Sequence, residues 1–234
     1  MAKIHPSEKE MIGAIENNIA HLSRRKFLGY GAAASGLIMV AASCKKNDDP
    51  PSKGSGVDLG SGDIGILNYA YALEQLEAAF YTQVIMTQYS GITTAETALL
   101  TDIRDHEVAH REFFKKAIGA SAIGSLEVNF STINFASRDS VLATAKALED
   151  LGVSAYNGAG RLITNADYLV LAGKIVSVEA RHAAYIRDLI SNGTFADNTV
   201  IDAMGLDKSR TPTEVLAIAG AYVKTKINSS NLPS

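Results

Sequence analysis

The segment ALEQL at residues 72–76 recurs as ALEDL at residues 147–151, and this repeat decides the fold. In both copies a tyrosine follows the glutamate by seven residues, Tyr81 in the first copy and Tyr156 in the second. Apolar and small residues surround both glutamates at helical spacing, so each glutamate lies on a face that is expected to be buried. Burying a carboxylate has no packing value. The repeat therefore predicts a duplicated unit that carries chemistry.

A second repeated motif, Glu-x-x-His, follows each copy of the first. EVAH at residues 107–110 is matched by EARH at residues 179–182. Residues three apart lie on the same face of an α-helix, so each motif offers a carboxylate and an imidazole together. Around all four segments apolar and small residues recur at alternating steps of three and four, which predicts four amphipathic helices with acids in their buried stripes.

The breaks between these patterns predict an all-α fold. Short breaks at residues 89–91 and 164–165 join the helices, the first of which is expected over residues 63–89, into two antiparallel hairpins. A long connection over residues 119–138 can run the length of a bundle, because an extended chain spans about 3.3 Å per residue against about 1.5 Å in a helix. A short fifth helix is predicted over residues 211–223, since it begins with the capping-box sequence TPTE.

Together the repeated motifs supply ligands for two metal ions. Buried carboxylates repel one another and take up protons unless cations lie between them, and two divalent ions supply that charge. Mixed carboxylate and imidazole ligands suit iron or manganese, and zinc also fits this ligand type. The candidate metal ligands are Glu74, Glu107, His110, Glu149, Glu179 and His182.

With its motifs in this order, the sequence from residue 63 to residue 189 resembles the ferritin-like superfamily, and most closely the exported ferritin-like domain proteins of the desiccation-related type. The resemblance implies a ferritin-like four-helix bundle with a di-metal carboxylate centre formed by the six residues above. It also implies that Tyr81 and Tyr156 hydrogen-bond the carboxylates of the centre.

Glu77 is a further acid on the inward stripe of the first helix. Its counterpart in the second copy is Gly152, and this asymmetry favours Glu74 as the ligand. Glu77 is then a neighbour of the centre that can substitute for Glu74 or swing toward the metal.

An export leader is predicted before the bundle. SRRKFL at residues 23–28, followed by a short apolar run, resembles a twin-arginine signal, and AASC at residues 41–44 resembles a lipoprotein cleavage box. We expect residues 1–43 to be removed and Cys44 to carry a lipid. The alternative is an ordinary signal cut near Ala42, with Cys44 as a bystander.

The residues after the cysteine predict a tether. Residues 44–62 are polar and rich in Pro and Gly, which is typical of a flexible linker between a membrane anchor and a folded domain. The bundle domain is expected over residues 63–234. This organisation predicts a periplasmic or surface-facing lipoprotein of a bacterial envelope, exported by the twin-arginine route.

Composition limits the partners and the motifs suggest the function. The formal net charge of −3 leaves no excess of positive charge for binding nucleic acid. We expect an exported redox protein that reacts with O2 or peroxide, as a ferroxidase, peroxidase or catalase-like enzyme, or that handles iron. Its partners are then a small-molecule oxidant or metal ions, and a membrane through the lipid anchor.

Two alternatives remain at this point. A non-catalytic ferritin-like module that protects the envelope against stress is one. The other is a zinc peptidase, because HEVAH at residues 106–110 is an HExxH motif in which His106 and His110 bind zinc and Glu107 acts as the base. The peptidase needs a third ligand, for which Glu127 and Glu149 are the candidates, and it leaves the second Glu-x-x-His motif unexplained.

Overall fold

Residues 55–234 are described by the structure, a computed structural model. Four long helices make up most of this part of the chain, and a short helix follows near its C-terminal end. The predicted all-α four-helix bundle with a short fifth helix is confirmed. The helices are α1 (Gly62–Met86), α2 (Thr94–Ile118), α3 (Arg138–Gly160), α4 (Ala166–Ile190) and α5 (Pro212–Ala219).

The helices form two close pairs, α1 with α2 and α3 with α4. Side-chain caps define where several of them begin. Thr93 and Glu96 form a capping box at the start of α2, and Thr211 and Glu214 form another at the start of α5. These caps satisfy backbone N–H groups that have no partner inside the helix, which fixes the entry of the chain into each helix.

Most of α1 is buried, because other parts of the chain cover it on several sides. Residues of the connection between α2 and α3 pass over it and hydrogen-bond its polar side chains. The amide of Gln75 donates to the carbonyl of Gly124 at 3.3 Å and accepts from the N–H of Leu126 at 2.9 Å. The first helix is therefore held in the interior by polar contacts as well as by apolar packing.

Two helices end earlier than the sequence predicted. α1 ends at Met86, and Tyr89 lies in the following turn with its ring buried in the core. α5 ends at Ala219 because the residues after it leave the helix and pair with the α2–α3 connection. There Val223 forms an antiparallel bridge with Val128.

The folded domain also begins earlier than predicted, so the interpretation of residues 57–62 as tether is wrong. Strand β1 (Val57–Asp58) pairs in parallel with strand β2 (Ile227–Asn228) near the C-terminus. Leu59 is completely buried, and its carbonyl accepts a hydrogen bond from the Asn68 amide at 3.0 Å.

The predicted export signal, Cys44 and the first part of the tether lie outside the described residues. Among the helices of residues 55–234, none has the combination of length and apolar character that crossing a membrane requires.

Candidate metal centre

The bundle brings all six candidate ligands together in its interior. Glu74 comes from α1, Glu149 from α3, and each Glu-x-x-His motif comes from α2 or α4. All four carboxylates are completely buried. Their oxygen and nitrogen atoms form two groups, each with ligand atoms within 4.8 Å of one another and each able to hold a metal ion: Glu74, Glu107, His110 and Glu179 in one, and Glu107, Glu149, Glu179 and His182 in the other.

Glu107 and Glu179 belong to both groups, whereas the other four residues belong to one group each. The two halves of the cluster have nearly the same geometry. His110 Nδ1 lies 2.9 Å from a carboxylate oxygen of Glu179, and His182 Nδ1 lies 2.9 Å from one of Glu107. Each histidine is therefore closest to the glutamate of the opposite Glu-x-x-His motif.

The carboxylates from α1 and α3 occupy equivalent places in the two halves. His110 Nδ1 lies 3.4 Å from Glu74, and His182 Nδ1 lies 3.5 Å from Glu149. The internal repeat of the sequence is thus a local two-fold repeat in the site. A pair of equivalent four-ligand groups sharing two carboxylates is an arrangement for two ions side by side.

Most of the ligand atoms of the cluster lack hydrogen-bond partners. In residues 55–234, ten buried side-chain oxygen or nitrogen atoms have none, and eight of them belong to the six cluster residues. They include both oxygens of Glu107 and Glu179 and the Nδ1 atoms of both histidines. The short histidine–carboxylate distances are therefore ion-pair approaches without hydrogen-bond geometry. Leaving buried polar atoms unpaired is costly, and a cation among these atoms removes that cost. The residues present fit metal ions.

The pKa values of the cluster also indicate that its carboxylates need positive charge beside them. Burial raises the pKa of the Glu74 carboxyl to about 7 and also raises the pKa of Glu149 and, more strongly, of Glu179. Burial acts in the same direction on Glu107, but its contacts with both histidines outweigh it and lower the pKa to about 2.

The surrounding carboxylates favour the protonated form of both histidines. Burial disfavours the imidazolium form, but the contacts with surrounding carboxylates outweigh burial and raise the pKa of His110 to about 12 and of His182 to about 10. Without a cation, the cluster balances its negative charge with protons on carboxylates and imidazoles.

Two buried tyrosines hold the carboxylates that are not shared. The Tyr81 hydroxyl on α1 donates to Glu149 Oε1 on α3 at 2.5 Å. The Tyr156 hydroxyl on α3 donates to Glu74 Oε1 on α1. Each hairpin thus orients the acid of the other, and the hydrogen bonds predicted for these tyrosines go to the acids of α1 and α3.

Glu77 lies beside the cluster but outside both groups. Its carboxylate occupies space left open by Gly152, since a methyl group there would lie 3.0 Å from Glu77 Oε1 and 3.7 Å from Glu179 Oε2. Burial, and then the negative charges of Glu179 and the other acids, raises the pKa of Glu77 well above its ordinary value. The structure thus places Glu74, and not Glu77, in a ligand group.

The HExxH ligands of the peptidase alternative do not form one group in residues 55–234. His106 belongs to neither group. Glu127 is exposed and pairs with Lys224 at 2.6 Å, and Glu149 lies in the group of His182 and not in that of His110. His106 instead contacts His182, with 2.9 Å between His106 Nδ1 and His182 Nε2. The sequence motif indicated His106 only as a zinc ligand of the peptidase alternative and gave no sign of this contact.

The known protein families agree with the fold and with the position of the cluster. The ferritin-like domain family matches residues 62–192, which is more than half of the 234-residue chain. The matched range begins with α1, ends just after α4 and contains all six cluster residues. No curated protein matches the chain. The chain belongs to the ferritin-like domain family.

Proposed function

We propose that this protein is an exported, membrane-tethered redox protein whose bundle holds two iron or two manganese ions. The observation that carries the proposal is the convergence of eight unpaired buried donor atoms from six residues on one point between the four helices. Because these atoms are buried without partners, folding alone does not explain them. Two divalent cations supply the charge that four buried carboxylates require.

The geometry suggests a role for each ligand. Glu107 and Glu179 would contribute ligand atoms to both ions, because they belong to both groups. Glu74 and His110 complete one position, and Glu149 and His182 complete the other. Carboxylate and imidazole donors without any thiolate favour iron or manganese. Such ions, when bound, exchange electrons with O2 or peroxide.

The remaining residues of the site orient these ligands and line an apolar cavity. Tyr81 and Tyr156 hold one oxygen of Glu149 and Glu74, which leaves the second oxygen of each acid directed to the centre. A cavity of about 30 Å³ adjoins Tyr156, and its lining is mainly apolar, with Leu67 and Phe114 among the residues. A cavity of this size accommodates one small molecule, and its apolar wall favours a small uncharged oxidant over a charged substrate.

Export and tethering belong to the proposal through the sequence. The twin-arginine-like SRRKFL segment at residues 23–28 and the cleavage-box-like segment ending at Cys44 support a lipoprotein of a bacterial envelope. A Cys44→Ser variant is expected to move the protein from the membrane fraction to the soluble fraction. Equal membrane association of variant and wild type contradicts the lipid anchor.

Metal content tests the centre directly. The full chain, freed of metal and then loaded with Fe2+ without oxygen or with Mn2+, is expected to hold two ions. A Glu179→Ala/His182→Ala variant is expected to lose both, because Glu179 serves both positions, whereas Glu149→Ala is expected to keep one. Glu112→Ala, which changes an exposed acid on α2 outside the cluster, is the matched control and is expected to keep two.

Two results contradict the proposal. One is a wild-type chain that holds no ion under either loading. The other is a single zinc ion that survives in the Glu179→Ala/His182→Ala variant and is lost in His106→Ala, which supports the peptidase. If two ions are bound, the oxidation of the bound ions by O2 and by H2O2 is measured next. Bound ions that react with neither oxidant contradict the redox function.

A further inference from the structure

His106 and His182 form an edge-to-edge pair. The two ring nitrogens are 2.9 Å apart, the ring planes differ by only 8°, and the ring centroids are 5.1 Å apart. The centroid distance exceeds the nitrogen distance by roughly one ring radius on each side. The rings therefore lie almost in one plane, with a nitrogen of each pointing at the other, which is the geometry of an N–H···N hydrogen bond and not of face-to-face stacking.

The direction of this hydrogen bond follows from the other side of the His182 ring. Its Nδ1 atom faces the carboxylates, 2.9 Å from Glu107 and 3.5 Å from Glu149. A metal ion there needs the lone pair of Nδ1, so the proton of the neutral ring must sit on Nε2. Nε2–H then donates to Nδ1 of His106. His106 itself is exposed, so it contacts solvent on one side and a buried ligand on the other.

This contact breaks the two-fold repeat of the site. His106 immediately precedes Glu107, and the equivalent residue before Glu179 is Val178. Val178 has no group that can accept a hydrogen bond, so the half of the site that contains His110 lacks this support. The two metal positions are alike in their ligands but differ in what holds their histidines.

We infer that His106 is a positioning residue that fixes the orientation and tautomer of His182. As a result, the position formed by Glu107, Glu149, Glu179 and His182 binds its metal ion with higher affinity than the other position does. This inference rests on the proposed metal centre. The partner of a metal-binding imidazole orients the ring and raises its basicity, and its removal costs roughly 10- to 100-fold in metal affinity. Within residues 55–234, only one of the two positions has a histidine partner of this kind.

Titration of the metal-free full chain with Co2+, followed by its visible absorption, tests the inference. The wild type is expected to bind in two steps of different affinity. His106→Val copies Val178 of the other half and is expected to weaken the tighter step about 10- to 100-fold, with little change in the weaker one. His106→Asn places an amide oxygen close to the former Nδ1 and is expected to restore the tighter step.

A second readout follows the proton itself. In Zn2+-loaded protein, ¹⁵N NMR of the histidine rings is expected to show a protonated Nε2 on His182 in the wild type and in His106→Asn. If His106→Val binds Co2+ with the same two affinities as the wild type, the inference is overturned. It is also overturned if the tighter binding step is weakened in His106→Asn as much as in His106→Val. A wild-type chain that binds Co2+ at neither position overturns the metal centre itself. Unfolding of both metal-free variants by urea checks that they fold like the wild type.

Discussion

In the metal-free protein, a rise in pH from 5 to 7 is expected to lower the free energy of unfolding by about 2 kcal/mol through Glu74 alone. Burial raises the pKa of this carboxyl from 4.5 in the unfolded chain to about 7 in the folded protein. Between these values the folded protein keeps a proton that the unfolded chain releases. The unfolded state therefore binds fewer protons, so stability falls as the pH rises, with a limiting slope of about 1.4 kcal/mol per pH unit midway between the two pKa values.

The other ionisable groups of the cluster do not reverse this sign. Glu149 and Glu179 also have raised pKa values, so they act in the same direction. The pKa of His182 is raised to about 10, so its stabilising contribution is complete below the unfolded value near 6.5 and is lost only as the pH rises toward 10. Glu107, with a pKa lowered to about 2, contributes fully above 4.5 and loses that contribution only in acid.

Urea unfolding in the presence of a chelator, at pH 5, 6 and 7, measures the effect. Glu74→Gln removes the titrating carboxyl group and is expected to reduce the loss of stability between pH 5 and 7 by about 2 kcal/mol. Glu112→Gln, an exposed acid, is the matched control and is expected to keep the wild-type slope. Added divalent ions need the deprotonated carboxylates, so the stabilisation they give is expected to grow as the pH rises. Equal stability of the metal-free wild type at pH 5 and 7, or an unchanged slope in Glu74→Gln, refutes the reasoning.

Three further variants test the packing and the hydrogen bond of Tyr156. Gly158→Ala is expected to destabilise the protein by about 3 kcal/mol, because the new methyl group would lie 1.7 Å from the backbone carbonyl oxygen of Arg210. Gly173→Ala, at an exposed position of α4 with nothing within 4 Å of the new methyl group, is instead expected to gain about 1 kcal/mol of stability. Thermal unfolding that ranks the two variants in the opposite order contradicts the packing. Tyr156→Phe removes the hydroxyl group that donates to Glu74 Oε1. It is expected to weaken Co2+ binding about 10-fold or more at the position that contains Glu74 and His110. An unchanged Co2+ titration shows that this hydrogen bond does not orient the ligand.

Local patterns in the sequence predicted the helices well, but contacts distant in the chain decided their ends. The caps at Thr93 and Thr211 are local, and they begin α2 and α5. Helix α5 stops before Val223 because that residue pairs with Val128, almost a hundred positions earlier. The pairing of residues 57–58 with residues 227–228 likewise joins the two ends of the domain. A segment rich in Gly and polar residues shows no sign of such a partner in its own composition.

The ligand set followed from the sequence because each member lies in a helical stripe with a duplicate. The sharing of Glu107 and Glu179 between two groups did not, because spacing places a side chain on a face and says nothing of which neighbour across the bundle it meets. The His106 contact was missed for the same reason. Its partner, His182, lies on another helix, and no second copy of the motif has a histidine at that position.

The departures from the two-fold repeat bear most directly on function. Duplicated hairpins with the same ligands would give two equivalent ion positions, yet Glu77 faces Gly152 and His106 corresponds to Val178. Glu77 is a completely enclosed acid whose pKa is raised well above its ordinary value, so its charged form destabilises the fold, and it is not needed to complete either ligand group. Storage of two ions requires neither departure. With His106 beside His182 in one half and Glu77 beside the shared Glu179, the surroundings of the two ligand groups differ although their ligands are the same. The proposed redox function predicts that two bound ions react differently with an oxidant, whereas a storage site has no need of the difference.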